Sequence, residues 1–307
     1  MKATKKIAIK RILFVLGVLV AITGVAFRAR PISFFNEWTD IGMYFSGTGS
    51  NSVTVAGHRV HYFVAGPADG KPVVLVHGLG GRAEDWRNLA PILTRWGFRV
   101  YLPDLPGYGQ SEQPRDFSYS VHDEAEAVVG FLDALRLHQV DLGGWSMGGG
   151  IAQHVAARHP ERVRRLMLFD SVGIYETPKW DVNLFMPKTP ADLDQLDALL
   201  MPNPPQVPAY IARDILRRSK KNAWVIHRAI DSMMTGNDAT EKMMPDLKMP
   251  VLLVWGSEDR ITPLSQGKKM NQLIPQSQLG VFQGCGHLAP TQCANDIGPV
   301  VVEFLEQ

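Results

Sequence analysis

Gly144-Trp145-Ser146-Met147-Gly148 decides how this chain is read, because of what stands on either side of it. Ahead of it, Val140-Asp141-Leu142-Gly143 is a short apolar run of strand length, and residues 149–158 behind it read as the start of a helix of small side chains. A serine on so sharp a strand-to-helix turn needs glycine on both sides, since a Cβ there collides across the turn. The turn strains the backbone of Ser146 and lifts its hydroxyl above the sheet. Ser146 is therefore read as a nucleophile, with Gly144 and Gly148 as the supports of its turn.

A serine hydroxyl is a weak nucleophile and needs a base to take its proton and a carboxylate to orient that base. On a parallel α/β sheet such groups sit on loops at the carboxyl ends of strands; where the serine stands on a nucleophile elbow of the kind this stretch resembles, the acid and then the base follow it in the chain. The apolar run Val251 to Trp255 delivers Gly256-Ser257-Glu258-Asp259, and the run ending at Phe282 delivers Gly284-Cys285-Gly286-His287. Asp259 and His287 are thus the expected acid and base. Asp170, at the end of the run Val163 to Phe169, is the competing acid, and Glu258 is expected to point elsewhere on its tight loop. His58, His61, His138, His154, His159 and His227 lie on or at the ends of expected strands and helices, away from this edge, and read as surface or packing residues. His77-Gly78-Leu79-Gly80-Gly81 follows the run Val73 to Val76. A loop there aims a backbone N–H at a developing oxyanion, and the residue after the nucleophile supplies the second donor. These donors are assigned to Leu79 and Met147, with His77 and Gly78 supporting the loop. Asp104 to Ser111 reads as an architectural loop at the same edge. No cofactor and no metal is expected, and the two cysteines do not have zinc-site spacing.

Around these motifs, residues 52–64 alternate about a Gly turn and predict an antiparallel hairpin. Strands then alternate with helices: a helix over 84–93, a strand over 99–102, a helix over 121–137, a helix near 264–273 and a closing helix from Pro290. The pattern predicts a mainly parallel eight-stranded sheet with helices on both faces. Residues 172–248 break the rhythm with methionines and prolines and predict three short helices, 191–200, 209–218 and 222–234. They are read as a helical cap whose flexible methionines suit varied apolar ligands; an ordinary helical subdomain is the plainer alternative.

Lys2, Lys5, Lys6, Lys10 and Arg11 precede the apolar run Ile12 to Phe27. With Ile7 to Ile9 the stretch approaches the roughly 20 residues that cross a bilayer. A cleaved signal peptide competes, but the run exceeds a usual signal core and Arg28 and Arg30 stand where a cleavage site belongs. The excess of basic residues before the run places the N-terminus in the cytoplasm and the rest in the periplasm or its equivalent. Phe34, Phe35, Trp38, Tyr44 and Phe45 follow closely, as in a segment at the membrane interface. The expected organisation is an anchor over 1–30, a juxtamembrane segment over 31–50, a core over 51–171 and 249–307, and the cap over 172–248. At 307 residues, 45% apolar, the chain can bury one large core, and a net charge of +2 without a basic stripe argues against a nucleic-acid partner. A homodimer through the anchor is an open expectation that no G-x-x-x-G spacing supports. Cys285 and Cys293 read equally as a disulfide bracing the His287 loop or as two buried thiols.

The successive motifs His-Gly-Leu-Gly-Gly, Asp-Leu-Pro-Gly-Tyr-Gly-Gln-Ser, Gly-Trp-Ser-Met-Gly-Gly, Gly-Ser-Glu-Asp and Gly-Cys-Gly-His resemble those of the α/β-hydrolase superfamily over about residues 50–305. With the N-terminal run and the cap, the chain is similar to membrane-bound bacterial lipases and phospholipases A of the PlaF type and to monoacylglycerol lipases. The resemblance implies Ser146, Asp259 and His287 as a triad and an acyl lipid as substrate, hydrolysed through an acyl-enzyme at a membrane. A carboxylesterase acting on small soluble esters is the runner-up. C–C bond hydrolases and cofactor-free peroxidases share the serine elbow, and a catalytically silent, tethered lipid-binding protein is the reading from another class.

Overall fold

The computed structural model describes residues 23–45 and 47–307. Eight strands form one sheet in the order β1-β2-β4-β3-β5-β6-β7-β8. The strands are β1 (Gly49–Val55), β2 (His58–Ala65), β3 (Pro72–Val76), β4 (Arg99–Pro103), β5 (Val140–Trp145), β6 (Val163–Phe169), β7 (Val251–Gly256) and β8 (Ser277–Phe282). β1, β2 and β4 pair antiparallel, and β4-β3-β5-β6-β7-β8 is parallel.

The central strands are apolar on both faces, and their side chains alternate between two cores, as the two-residue period of a strand requires. Val74, Val76, Leu166, Leu168, Val251 and Leu253 pack on one side under helices α3 (Val121–Ala134) and α4 (Met147–Arg158). Val73, Leu75, Met167, Phe169, Leu252 and Val254 pack on the other, with α2 (Ala90–Arg95) and α9 (Ala294–Glu306). Register puts Val76 beside Gly144, Trp145 beside Phe169, and Gly256 beside Phe282. The carboxyl ends of β3, β5, β6, β7 and β8 therefore converge on one edge.

Three elements differ from the sequence reading. The helix expected over 84–93 is a 3₁₀ turn, Ala83–Trp86, followed by α2, because Pro91 sets a new helical start at its first turn. After α7 (Leu264–Leu273), the closing helix is broken into α8 (Ala289–Gln292) and α9 at Cys293. The two short helices expected over 209–218 and 222–234 are a single 26-residue helix, α6 (Ala209–Met234), since the polar run Ser219 to Asn222 contains no helix breaker and faces partly outward. With α5 (Pro190–Leu200), α6 lies between β6 and β7 in the chain and over the converging strand ends.

Helix α1 (Pro31–Phe45) packs against α6 and β1. Its first turn is held by the Asp214 carboxylate, which accepts from the Ile32 N–H at 3.0 Å, and by Arg218, which donates to Ser33 Oγ at 2.8 Å. Arg82 and Gln110 both donate to Asp40 further along. Phe35, Trp38 and Ile41, spaced to share one face, are exposed, Trp38 by 76%. The apolar run read as a membrane anchor lies mostly outside the described residues. Residues 23–29 are helical, and among the described residues no helix is long and apolar enough to cross a membrane.

Glu124, on the inner face of α3, is fully buried, and neither carboxyl oxygen has a protein partner among the described residues. Burial, with Asp123 beside it, pushes its pKa well above the ordinary glutamate value. The fold thus retains a proton that the unfolded chain releases, so this contribution to stability is full below the ordinary pKa and is lost as pH rises toward the folded one. Each unit of displacement corresponds to about 1.4 kcal/mol. Glu124→Gln keeps the size and removes the titration, so its Tm is expected to fall less between about pH 5 and about pH 8 than that of the parent chain. Calorimetry at the two pH values checks this, and equal slopes would mean that Glu124 ionises freely.

Candidate active site

Ser146 caps the start of α4 with φ 55° and ψ −118°, a conformation that L-residues seldom adopt. Its N–H donates to Phe169 O at 2.9 Å, which fixes the turn to β6. A Cβ on Gly144 would stand 2.0 Å from Gly148 O, and one on Gly148 would stand 2.4 Å from His77 O. The two glycines are therefore required by the close approach of β5, α4 and the loop after β3, and no larger residue fits without moving one of them.

The Ser146 hydroxyl lies 2.9 Å from His287 Nε2, and His287 Nδ1 lies 2.8 Å from Asp259 Oδ2. All three side chains are buried, with residue exposures of 7%, 2% and 6% in the order Ser146, His287, Asp259. Asp259 Oδ1 accepts from the N–H groups of Ile261 and Thr262 at 2.8 and 3.0 Å, so the loop itself grips the carboxylate. The structure thus brings together the three residues singled out by the chain order of the motifs.

Two positioning residues escaped the sequence reading. Trp145 Nε1 donates to the His287 backbone oxygen at 2.8 Å and ties the base to the strand that carries the serine. Thr262 Oγ1 stands 2.7 Å from Asp259 Oδ2 and 3.3 Å from His287 Nδ1. Trp145 was hidden in a variable position of the elbow motif, and nothing in the sequence marks Thr262 apart from its place three residues after the acid.

Asp170 follows β6 and is fully buried; its Oδ1 accepts from Gly256 N at 2.7 Å, and its carboxyl lies against that of Asp259. Burial first, and the charge of Asp259 second, raise its pKa well above the carboxylate range. It does not contact His287, and so is placed behind the acid. Cys285 and Cys293 form a disulfide with Cα atoms 6.4 Å apart, and Cys285 O accepts from Glu258 N at 2.9 Å. That bridge joins the loop of the base to α8 and, through Glu258, to the loop of the acid.

His77 Nε2 accepts from Leu105 N at 3.1 Å, so its proton sits on Nδ1 and is donated to Gly78 O at 2.8 Å. Burial lowers its pKa, and this neutral ring fastens the loop after β3 to the one after β4. Asp104 similarly accepts from Ala83 N, Gln110 N and His61 Nδ1 at 2.7, 2.9 and 2.8 Å. Both residues hold loops in place. Leu79 N–H donates to no acceptor among the described residues, and Met147 begins α4, where helical N–H groups lack internal partners. Both residues border the same cavity as Ser146.

Two cavities meet at Ser146. The first, of about 140 Å³, is walled by Trp180, Phe185, Ile230, Met233 and Met234 over the strand edge. The second, of about 430 Å³, runs from Ser146 and His287 past Leu79 to Ile32 of α1 and to Arg218 and Asn222 of α6. The arrangement gives one buried hydroxyl a base, an orienting carboxylate, two free N–H donors, an apolar chamber and a partly polar one.

The sequence matches the family model for the alpha/beta hydrolase fold over residues 71–224 and 224–291. A 2-hydroxy-6-oxo-2,4-heptadienoate hydrolase of Pseudomonas putida is 34% identical over 263 residues, covering 77% of this chain and 89% of its own length. Lipase 1 of Psychrobacter immobilis is 28% identical over 256 residues, covering 80% of each. The crystal structure of a membrane phospholipase A, a bacterial virulence factor, superposes with a TM-score of 0.82 at 27% identity, covering 97% of this chain and 98% of that one. With a match across more than half its length, and lipase and C–C hydrolase relatives on either side, the chain belongs to the alpha/beta-hydrolase fold family.

Proposed function

We propose that the protein is a serine hydrolase that cleaves carboxylic esters of lipids at a membrane face through an acyl-enzyme. The observation that carries this is the unbroken relay from Asp259 through His287 to a Ser146 hydroxyl opening on an apolar chamber. His287 takes the serine proton as Ser146 Oγ attacks the ester carbonyl, and Asp259 stabilises the imidazolium. The oxyanion forms where the N–H groups of Leu79 and Met147 point, in a site dry enough for those dipoles to count. His287 then hands its proton to the leaving alcohol, the acyl chain stays in the first chamber, and a water activated by the same imidazole releases it.

The exposed Phe35, Trp38 and Ile41 face of α1, following the basic and apolar N-terminal run, supports an interfacial seat for this helix, with the catalytic domain on the exterior side. The heptadienoate hydrolase relative favours a second reading, hydrolysis of a C–C bond by the same serine and histidine. One experiment separates the two: a substrate panel of phospholipid, monoacylglycerol, a short nitrophenyl ester and 2-hydroxy-6-oxo-2,4-heptadienoate, assayed on the full chain and on a chain lacking residues 1–30. Ester turnover on long-chain lipids, with the truncated chain weakened on vesicles and unimpaired on the soluble ester, is the expected result. Preference for the dienoate overturns the ester reading.

A further inference from the structure

The second chamber has a polar end that hydrolysis of the ester bond does not itself require. Its wall on α6 is formed by Ile215, Arg218, Ser219, Asn222, Val225 and Ile226, one face of the helix at the spacing of its turns. This face is graded. Ile226 packs near Gly80 of the loop after β3, and the polar residues 218, 219 and 222 lie toward α1. Arg218 is eight residues from Ile226, or about 12 Å along the helix.

Arg218 is the uncommitted cation of this wall. Arg82, which also borders the chamber, is already paired with Asp40 and Glu84. Asp214, one turn before Arg218, is engaged by Arg217 on Oδ1 and by the Ile32 N–H on Oδ2. Among the described residues Arg218 forms no ion pair; Nη2 donates to Ser33 Oγ, and Nε is buried without a partner. A buried guanidinium N–H left unpaired is costly, and an oxyanion is the group that its planar fork fits best. Burial lowers its pKa; the nearby Asp214 carboxylate opposes this, and Arg217, Arg82 and Arg30 reinforce it, so a bound anion would act in the same direction as Asp214.

We propose that the second chamber holds the phosphate of a glycerophospholipid leaving group, with Arg218 as its cationic ligand and Ser219 and Asn222 as further donors beside it. This rests on the acyl-transfer reading and names the substrate class for it. The acyl chain occupies the apolar chamber, the ester carbonyl lies at Ser146, and the glycerol runs along Val225 and Ile226 to place its phosphate at the polar end. Monoacylglycerol would fill the same path and leave Arg218 unused.

The test compares kcat/KM for a 1-acyl lysophosphatidylglycerol with that for the 1-monoacylglycerol of the same chain, in the same detergent micelles, on the full-length protein. Arg218→Leu is expected to lower the ratio by about tenfold or more, and Arg218→Lys by less, because a point charge keeps the attraction and loses the fork. Ser33→Ala, which removes the tie to α1 and leaves the guanidinium, is expected to preserve the ratio. An unchanged ratio in Arg218→Leu overturns the proposal, as does an equal loss on both substrates, which would report damage to the packing of α1. Loss of heptadienoate hydrolysis with the lipid ratio intact would assign Arg218 to a carboxylate and overturn the phosphate. A wild-type chain that cleaves neither ester removes the acyl-transfer reading itself, a result distinguishable from all of these.

Discussion

Ser146→Ala is expected to lower turnover of a nitrophenyl ester by on the order of 10⁴- to 10⁶-fold while leaving the fold intact. The size follows from what is removed. The hydroxyl is the atom that His287 faces at 2.9 Å, and with it gone the imidazole has nothing to deprotonate but water. What would survive is the binding energy of the two chambers and of the oxyanion donors proposed at Leu79 and Met147, which in serine enzymes lacking a triad member leaves about 10³- to 10⁴-fold over water. Stability should barely change, because alanine keeps the Cβ that the positive φ already accommodates and loses a single hydrogen bond. Single-turnover kinetics with matched thermal melts checks both halves, and a fluorophosphonate probe should label the parent chain at Ser146 and leave the variant unlabelled. Activity within tenfold of the parent would move the nucleophile elsewhere.

The elbow was legible because it depends on a local requirement that the sequence must meet. Two glycines admit the close approach at Ser146, and the strand before Asp259 is an apolar run buried on both faces, whereas the strand before His287 is a partly exposed edge strand. The acid was legible only through topology: Asp170 and Asp259 both end parallel strands, and no residue pattern says which of them faces His287. Three-dimensional register decides it, since the loop after β7 turns its carboxylate onto Nδ1 while Asp170 turns to Gly256 N. The long helix α6 was cut in two because helix interruptions are read from breakers and polarity, and the run 219–222 is polar for reasons other than ending a helix: Ser219 and Asn222 line a cavity, and Lys220 and Lys221 face outward. Arg218 was invisible for the same reason. Its partners, Ser33 and the second chamber, are 185 residues away in the chain or formed only by folding. The disulfide was open on sequence because eight residues of spacing permit but do not impose a Cα separation of 6.4 Å.

Asp259→Asn is expected to cost on the order of 10⁴ in kcat, the loss known for the corresponding change in serine proteases. An amide facing Nδ1 offers an N–H where the carboxylate offered an acceptor, so the imidazole turns to the tautomer whose Nε2 already carries the proton that should come from Ser146. The neighbouring carboxyl makes the residual activity informative. The pKa of Asp170 is raised first by its burial and then by the neighbouring Asp259 carboxyl, and the substitution removes the second cause. Its pKa is then expected to fall, though burial still holds it above the ordinary carboxylate range, so ionisation of Asp170 is expected to come at lower pH than in the parent. Thr262 Oγ1, 2.9 Å from the Asp170 backbone oxygen and 3.3 Å from His287 Nδ1, stands between the Asp170 backbone and the imidazole, and the Asp170 carboxyl itself is turned to Gly256 N. The residual activity of Asp259→Asn should therefore climb with pH more steeply than that of the parent, and Asp259→Asn with Asp170→Asn should lose the climb. Asp170→Asn alone should act weakly, since an amide oxygen can still accept from Gly256 N. Superimposable pH profiles for the single and double variants would confine Asp170 to holding the β6–β7 edge, and a fully active Asp259→Asn would place the orienting acid elsewhere.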